Sequence, residues 1–124
     1  MNGKRIRILI ADDDLLMLAT MSKLLQAEFD VVGAVQDGSA LLEAAYQLQP
    51  DVIVTDISMP KLSGIAAARK IHDSLPTIKL IFLTMHGNAG YRREAHSLAA
   101  GYVLKSSALE ELIPAIREGC RPTD

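Results

Sequence analysis

The sequence predicts an α/β fold: a single doubly wound, five-stranded parallel sheet in the flavodoxin-like order 2-1-3-4-5, with helices on both faces. Short aliphatic runs alternate five times with longer stretches of helical periodicity. Several of these runs are almost continuously apolar, which is typical of strands buried on both faces of a parallel sheet. With 124 residues, the chain is too short for an eight-fold barrel, so an open sheet remains.

Each predicted strand is a short run dominated by Ile, Val and Leu, and most of these runs end at a polar residue. Branched aliphatic residues of this kind favour extended structure in a buried sheet. In chain order the predicted strands are Ile6–Ala11, Val31–Gln36, Val52–Thr55, Leu80–Thr84 and Tyr102–Leu104.

The helices are predicted from apolar residues that recur every three or four positions. In chain order the predicted helices are Leu15–Ala27, Ser39–Leu48, Gly64–Ser74, Asn88–Ala99 and Leu109–Glu118. The fourth has the weakest apolar face, because it holds mostly alanine and charge. Asp14 is predicted to cap the first helix, and Ser107 with Glu110 predicts a capping box for the last. Pro114 lies inside the last helix and should remove one hydrogen bond.

Composition and charge exclude several classes of function. The chain is 49% hydrophobic and 23% charged, with a net charge of −2, so it is expected to form one domain that binds nucleic acid poorly. No apolar run is long enough to cross a bilayer, so we expect a cytoplasmic protein with no membrane partner. Cys120 is the only cysteine, which excludes a disulfide framework.

Polar residues follow the predicted strands at the edge where doubly wound folds bind ligands, outside the carboxyl ends of the strands. These residues are Asp12 and Asp13 after the first strand, Asp56 after the third, Thr84 at the end of the fourth and Lys105 after the fifth. Because these strands are neighbours in the predicted order, the side chains should converge on one patch. The second strand ends in Gln36 and Asp37 on the other side, and we assign it no role.

The patch combines three carboxylates with one ammonium and one hydroxyl, and about two negative charges remain uncompensated. Mg²⁺ would correct this imbalance, since it prefers carboxylate oxygens together with waters and a phosphate oxygen. Asp12 and Asp13 are predicted to hold Mg²⁺, with Asp56 as the third acid. Lys105 and Thr84 suit a phosphoryl group. An aspartate beside Mg²⁺ and a lysine can act as a nucleophile, and Asp56, which lies centrally, is the predicted phosphoacceptor.

At these residues the chain resembles the receiver domain of two-component response regulators. The resemblance rests on the stretches "ILIADDD", "PDVIVTDISMP", "IFLT" and "GYVLK". The first and last of these stretches are most similar to those of the NarL/FixJ subfamily of transcription factors. The receiver domain would span residues 1–119. Residues 120–124 would be a tail or the start of a linker to a helix-turn-helix output domain that is absent from this chain, so the chain is either a fragment or a stand-alone receiver.

The resemblance implies a phosphorylation mechanism and a ligand set. A sensor histidine kinase would phosphorylate Asp56, with Mg²⁺ held by Asp13, Asp56 and the backbone carbonyl of Ser58. Asp12 would hold the waters of the metal, and Thr84 and Lys105 would contact the phosphoryl group. Tyr102 matches the aromatic switch position of the family, although a plain packing role is the alternative. The implied output and homodimer surface consists of the fourth helix, the fifth strand and the fifth helix, and DNA would be bound only by an output domain.

Two positions depart from the family pattern. Ser106 stands where many members have a proline in cis linkage, and Met85 follows Thr84 where small residues are usual. Met85 is expected to narrow access to Asp56, and His86 and Ser58 flank the site at positions that tune dephosphorylation.

Two rival functions remain open from the sequence. The D-x-D pattern in "ADDDLL" is similar to haloacid-dehalogenase-type phosphatases, in which Asp12 would be the nucleophile and Asp14 the acid/base. Against this reading, the chain is short and Asp56 would have no role. The second rival is an interaction module that keeps the fold and never turns over phosphate, against which the intact acid set argues.

Overall fold

The computed structural model describes residues 5–57, 59–85, 93, 97–98 and 101–120, and it contains a parallel sheet in the order β2-β1-β3-β4-β5. The strands are β1 (Arg7–Ala11), β2 (Asp30–Val35), β3 (Val52–Asp56), β4 (Lys79–Thr84) and β5 (Gly101–Leu104). The helices are α1 (Leu15–Gln26), α2 (Gly38–Leu48), α3 (Gly64–Ser74) and a last helix (Ala108–Gly119), which follows a short 3₁₀ turn over Lys105–Ser107. The predicted fold class and strand order are therefore confirmed.

Element boundaries differ from the prediction by one residue in most cases. Among the elements that the structure describes, no boundary moves by more than one residue. For example, β2 begins at Asp30, whose backbone N–H donates to the carbonyl of Ile6 at 2.9 Å. Of the predicted helix over Asn88–Ala99, the structure describes residues 93, 97 and 98, which are helical. Ser58, His86 and residues 121–124 lie outside the described residues. Within the described ranges, no helix has the length and apolar character needed to cross a membrane.

Apolar side chains form one core on each face of the sheet, because successive residues of a strand point to opposite faces. Leu9 and Ala11 of β1 pack with Leu41 of α2 and with α3, whereas Ile8 and Ile10 pack with α1 and the last helix. The same alternation divides β3 and β4 between the two cores. The three central strands β1, β3 and β4 are thus covered on both sides, as their nearly continuous apolar sequences predict.

The predicted cap of α1 is confirmed, and the predicted capping box of the last helix is wrong. The carboxylate of Asp14 accepts hydrogen bonds from the backbone N–H groups of Leu16 and Met17 at 3.0 and 3.3 Å. Ser107 is the N-cap residue of the last helix but makes no side-chain cap bond. The 3₁₀ turn before it leaves Ser107 at φ −109° and ψ 8°, not in the extended conformation that directs a capping hydroxyl back to the helix.

Candidate functional site

The ladder register of the sheet brings the polar strand ends together at its carboxyl edge. Ala11 pairs with Thr55 and Asp56 pairs with Leu83, so that Asp12 and Thr84 follow directly on either side of Asp56. Thr84 in turn pairs with Leu104, which places Lys105 next along this edge. Of the predicted residues, Asp12, Asp13, Asp56 and Lys105 meet in one cluster, which we call the acid site.

The three carboxylates of the acid site lie close enough to share one cation. One oxygen from each of Asp12, Asp13 and Asp56 lies within 4.8 Å of the other two. Asp12 is fully buried and Asp56 is 8% exposed, whereas Asp13 is exposed. The acid site therefore combines two buried acids with one that faces solvent.

Lys105 joins the two buried acids. Its ammonium lies 2.7 Å from Oδ2 of Asp12 and 3.1 Å from Oδ2 of Asp56, and its side chain is 11% exposed. Burial by itself lowers the pKa of Lys105, but the hydrogen bonds and charges of Asp12 and Asp56 outweigh this and raise the pKa above its ordinary value. Lys105 is therefore a fixed positive charge at neutral pH.

Asp12 is held at both ends of its carboxylate. Oδ1 accepts a hydrogen bond from the backbone N–H of Asp14 at 2.9 Å, while Oδ2 pairs with Lys105. The backbone N–H of Asp12 donates to the carbonyl of Val35 at 3.1 Å. Because Asp14 itself caps α1, the turn after β1 fixes Asp12 and Asp14, two of the three consecutive aspartates.

The remaining predicted residues surround the acid site in different ways. Thr84 is 8% exposed at the end of β4. Tyr102 lies opposite Phe82 in the ladder, is half-buried, and packs against the core on the α2–α3 face. Met85 is 68% exposed. Lys105 and Ser106 belong to the 3₁₀ turn, and no cis peptide bond occurs among the residues that the structure describes.

Gly64 is a site residue that the sequence reasoning missed. A Cβ atom built on Gly64 would lie 1.8 Å from the backbone oxygen of Asp56. The first turn of α3 therefore packs directly against the backbone of the central acid, and any larger side chain at position 64 would displace it. The one available signal was the glycine itself, since glycine is unfavourable inside a helix unless space requires it.

The donors of the acid site fit Mg²⁺. Three carboxylates and one ammonium leave an excess of negative charge, and carboxylate oxygens are ligands that Mg²⁺ prefers. The two oxygens of Asp12 already have partners, which makes the exposed carboxylate of Asp13 a better direct ligand than that of Asp12.

A doubly wound sheet that gathers three acids and a lysine at its carboxyl edge has the residue set of a magnesium-dependent phosphate site. The chain belongs to the response regulator receiver domain family, whose model matches residues 8–117.

Relatives and solved structures agree with this assignment. The chain is 40% identical over 124 residues to the uncharacterized transcriptional regulatory protein YxjL of Bacillus subtilis strain 168, covering 98% of this chain and 57% of that protein. The structure superposes with a TM-score of 0.87 on the receiver domain of the putative response regulator NarL from Mycobacterium tuberculosis, at 28% identity and covering 96% of this chain and all of that one. The structure also superposes on the isolated receiver domain of RcsB from Salmonella enterica serovar Typhimurium, solved with the phosphomimetic BeF₃⁻. The TM-score is 0.82 at 30% identity, and the match covers 98% of this chain and 94% of that one.

The chain spans about half the length of the curated relatives that it matches. The match to the family model and the superposition on NarL confirm the resemblance to the receiver family, including its NarL-type members. The phosphatase reading is not supported, because the family differs and the carboxylate of Asp14 is engaged in capping α1.

Proposed function

We propose that Asp56 accepts a phosphoryl group from the phosphohistidine of a sensor histidine kinase, and that this modification controls transcription through an output domain. The observation that carries the proposal is the Lys105 ammonium, held between Asp12 and Asp56 with Asp13 alongside. Family membership supports it, because receiver domains are regulatory.

In the proposed reaction a carboxylate oxygen of Asp56 forms a bond to phosphorus while the bond between phosphorus and the histidine nitrogen breaks. The electron pair of the broken bond stays on the imidazole. The transferring group carries negative charge on three oxygens. Lys105 would neutralise part of this charge from its present position, and the hydroxyl of Thr84 would donate a hydrogen bond.

Asp13, Asp56 and the backbone carbonyl of Ser58 would hold Mg²⁺, with Asp12 binding its waters. The metal would supply charge neutralisation to the carboxylates and to a phosphoryl oxygen. Both oxygens of Asp12 already have partners in the protein, which supports a role in which Asp12 binds the waters of the metal and not the metal itself.

The proposed output surface is the segment before β5 together with β5 and the last helix, through which the chain would form a homodimer. The phosphoryl group on Asp56 would carry about −1.5 to −2 charges, in place of the single charge of the carboxylate, and a shift of Thr84 toward it would let Tyr102 turn inward. Met85 and His86 would tune access and dephosphorylation. DNA would be bound only by an output domain. Two further statements stay predictions: that the receiver domain spans residues 1–119, and that the protein is cytoplasmic.

Phosphorylation with acetyl phosphate and Mg²⁺, followed by mapping of the modified residue by mass spectrometry, tests the proposal. The parent should gain one phosphoryl group on Asp56, and Asp56→Asn should gain none. Asp73→Asn, which changes an exposed acid of α3, is the matched control and should react as the parent does.

Two results would contradict the proposal. A label on Asp12 would support the phosphatase, in which Asp12 is the nucleophile. A folded parent that takes up no phosphoryl group from acetyl phosphate or from a phosphorylated kinase, and that binds no Mg²⁺, would support the interaction module.

A further inference from the structure

In the loop between Asp56 and α3, residues 60–62 form a tight and strained turn. The backbone N–H of Leu62 donates to the carbonyl of Pro60 at 2.8 Å, which closes a three-residue turn around Lys61. Lys61 has φ 69°, in the left-handed region that side chains other than glycine rarely adopt. Such a conformation persists only where the surrounding structure holds it, so the contacts of this loop decide its position.

The first turn of α2 lies directly against this loop. A Cβ atom built on Gly38 would lie 1.8 Å from the backbone oxygen and 2.5 Å from the carbonyl carbon of Leu62. Gly38 does not have a positive φ, so its backbone conformation would accept alanine. The space taken by the loop is therefore what requires glycine at this position.

Asp37 adds a second link between α2 and the loop. Its Oδ1 accepts a hydrogen bond from the backbone N–H of Ala40 at 2.8 Å and so caps α2. Its Oδ2 lies 3.7 Å from the ammonium of Lys61, the residue at the centre of the turn. The cap fixes the start of α2, and the ion pair adds a weak link to the strained residue, whose side chain is 71% exposed.

The other end of the loop is bound to the acid site. The backbone N–H of Gly64 donates to the carbonyl of Ile57 at 2.8 Å, and the backbone N–H of Ile57 donates to Leu83 at 3.2 Å. Ile57 and Met59 are buried in the core of the α2–α3 face, against which Leu62 packs. A displacement of Leu62 is therefore transmitted to the residues that directly follow Asp56.

We propose that Asp37 and Gly38 are positioning residues for the loop after Asp56, and that through this loop they set the Mg²⁺ affinity of the acid site. This inference rests on the proposed function. It gives a role to the end of β2, to which the sequence alone assigns none.

The test is the dissociation constant of Mg²⁺, measured by isothermal titration calorimetry on the unphosphorylated full chain. Gly38→Ala should weaken Mg²⁺ binding about tenfold, the lower end of what loss of a supporting contact costs a metal site. Gly33→Ala is the matched control, because its Cβ would meet only the side-chain ends of Leu9 and Leu48, at 3.0 and 3.1 Å. It should bind Mg²⁺ as the parent does, even where urea unfolding shows a similar loss of stability.

A second pair of variants tests whether Asp37 and Lys61 act by holding the loop in place or only by the electric field of their charges at the Mg²⁺ site. Asp37→Asn keeps an oxygen that can cap α2, and Lys61→Gln keeps a polar side chain that is one atom shorter, but each removes the ion pair. If the pair holds the loop, both variants weaken Mg²⁺ binding. If the two charges act only through their field, Asp37→Asn weakens binding and Lys61→Gln strengthens it.

The positioning role is overturned if Gly38→Ala folds and binds Mg²⁺ as tightly as the parent, or if the two charge variants shift the affinity in opposite directions. Should Gly38→Ala fail to fold, the charge variants alone decide. A parent that binds no Mg²⁺ and is not labelled on Asp56 refutes the proposed function itself, which is a different result from an active parent with unaffected variants.

Discussion

Replacing Lys105 by methionine would remove the positive charge from the acid site while keeping most of the side-chain volume. At an effective dielectric constant of about 20, the attractions of its ammonium at 2.7 and 3.1 Å are worth about 6 and 5 kcal/mol. Desolvation of the charges offsets much of this, and breaking a buried ion pair typically costs 3–5 kcal/mol. We expect the free energy of unfolding in EDTA to fall by about 3 kcal/mol.

The assay is urea unfolding at neutral pH, in EDTA and in excess Mg²⁺. Two unit charges 4.8 Å apart, the upper limit for the acid oxygens, still repel by about 3.5 kcal/mol at the same dielectric constant. Mg²⁺ should therefore stabilise Lys105→Met more than it stabilises the parent. Lys70→Met, which alters an exposed lysine of α3, is the control and should change stability by no more than about 0.5 kcal/mol.

The pH dependence of this difference also follows. Because the pKa of Lys105 is raised from 10.5 in the folded state, its contribution is fully present below that value and is lost only as pH rises through the folded-state pKa. The stability difference between parent and variant should stay constant from about pH 6 to 9. A loss in EDTA no larger than that of Lys70→Met would refute the reasoning, since it would mean that Lys105 does not compensate the buried acids.

Three further predictions concern the acids and the core. Asp13→Asn should weaken Mg²⁺ binding at least about tenfold by calorimetry, since charged ligands set the affinity of such sites, whereas an unchanged affinity would remove Asp13 from the ligand set. Asp14→Ala should lower the free energy of unfolding by about 1 kcal/mol through loss of the α1 cap, and equal stability of Asp14→Ala and Asp14→Asn would contradict this role. Leu41→Ala, at a position that is 0% exposed, should cost about 2–5 kcal/mol in guanidinium unfolding, and a loss below about 1 kcal/mol would mean that the core collapses around it.

The strands could be predicted closely because burial on both faces leaves an unbroken aliphatic run, as over residues 52–54 of β3. The helix over Gly64–Ser74 has the bounds expected from its apolar spacing. The capping box at Ser107 failed because the pattern of residue types does not report the backbone angles of the turn before it. Only the structure shows that this turn is 3₁₀.

The sequence was enough to predict which residues form the acid site, but not which of their atoms are in contact. A parallel sheet brings the residues after its strands to one edge, so the order of strands was enough to group Asp12, Asp56 and Lys105. Which acid pairs with which atom depends on side-chain geometry that no spacing encodes. The structure alone shows that Lys105 bridges the two buried acids and that Asp13 is exposed.

The sequence by itself determined the sheet, its strand order and the residues at its carboxyl edge, because apolar periodicity and chain connectivity are local properties that one sequence displays. The tertiary structure decided the close approach of Gly38 to Leu62 and of Gly64 to Asp56. These contacts join elements that are distant along the chain. Their distances depend on how the helices pack on the twisted sheet, which is a property of the whole fold and not of any segment.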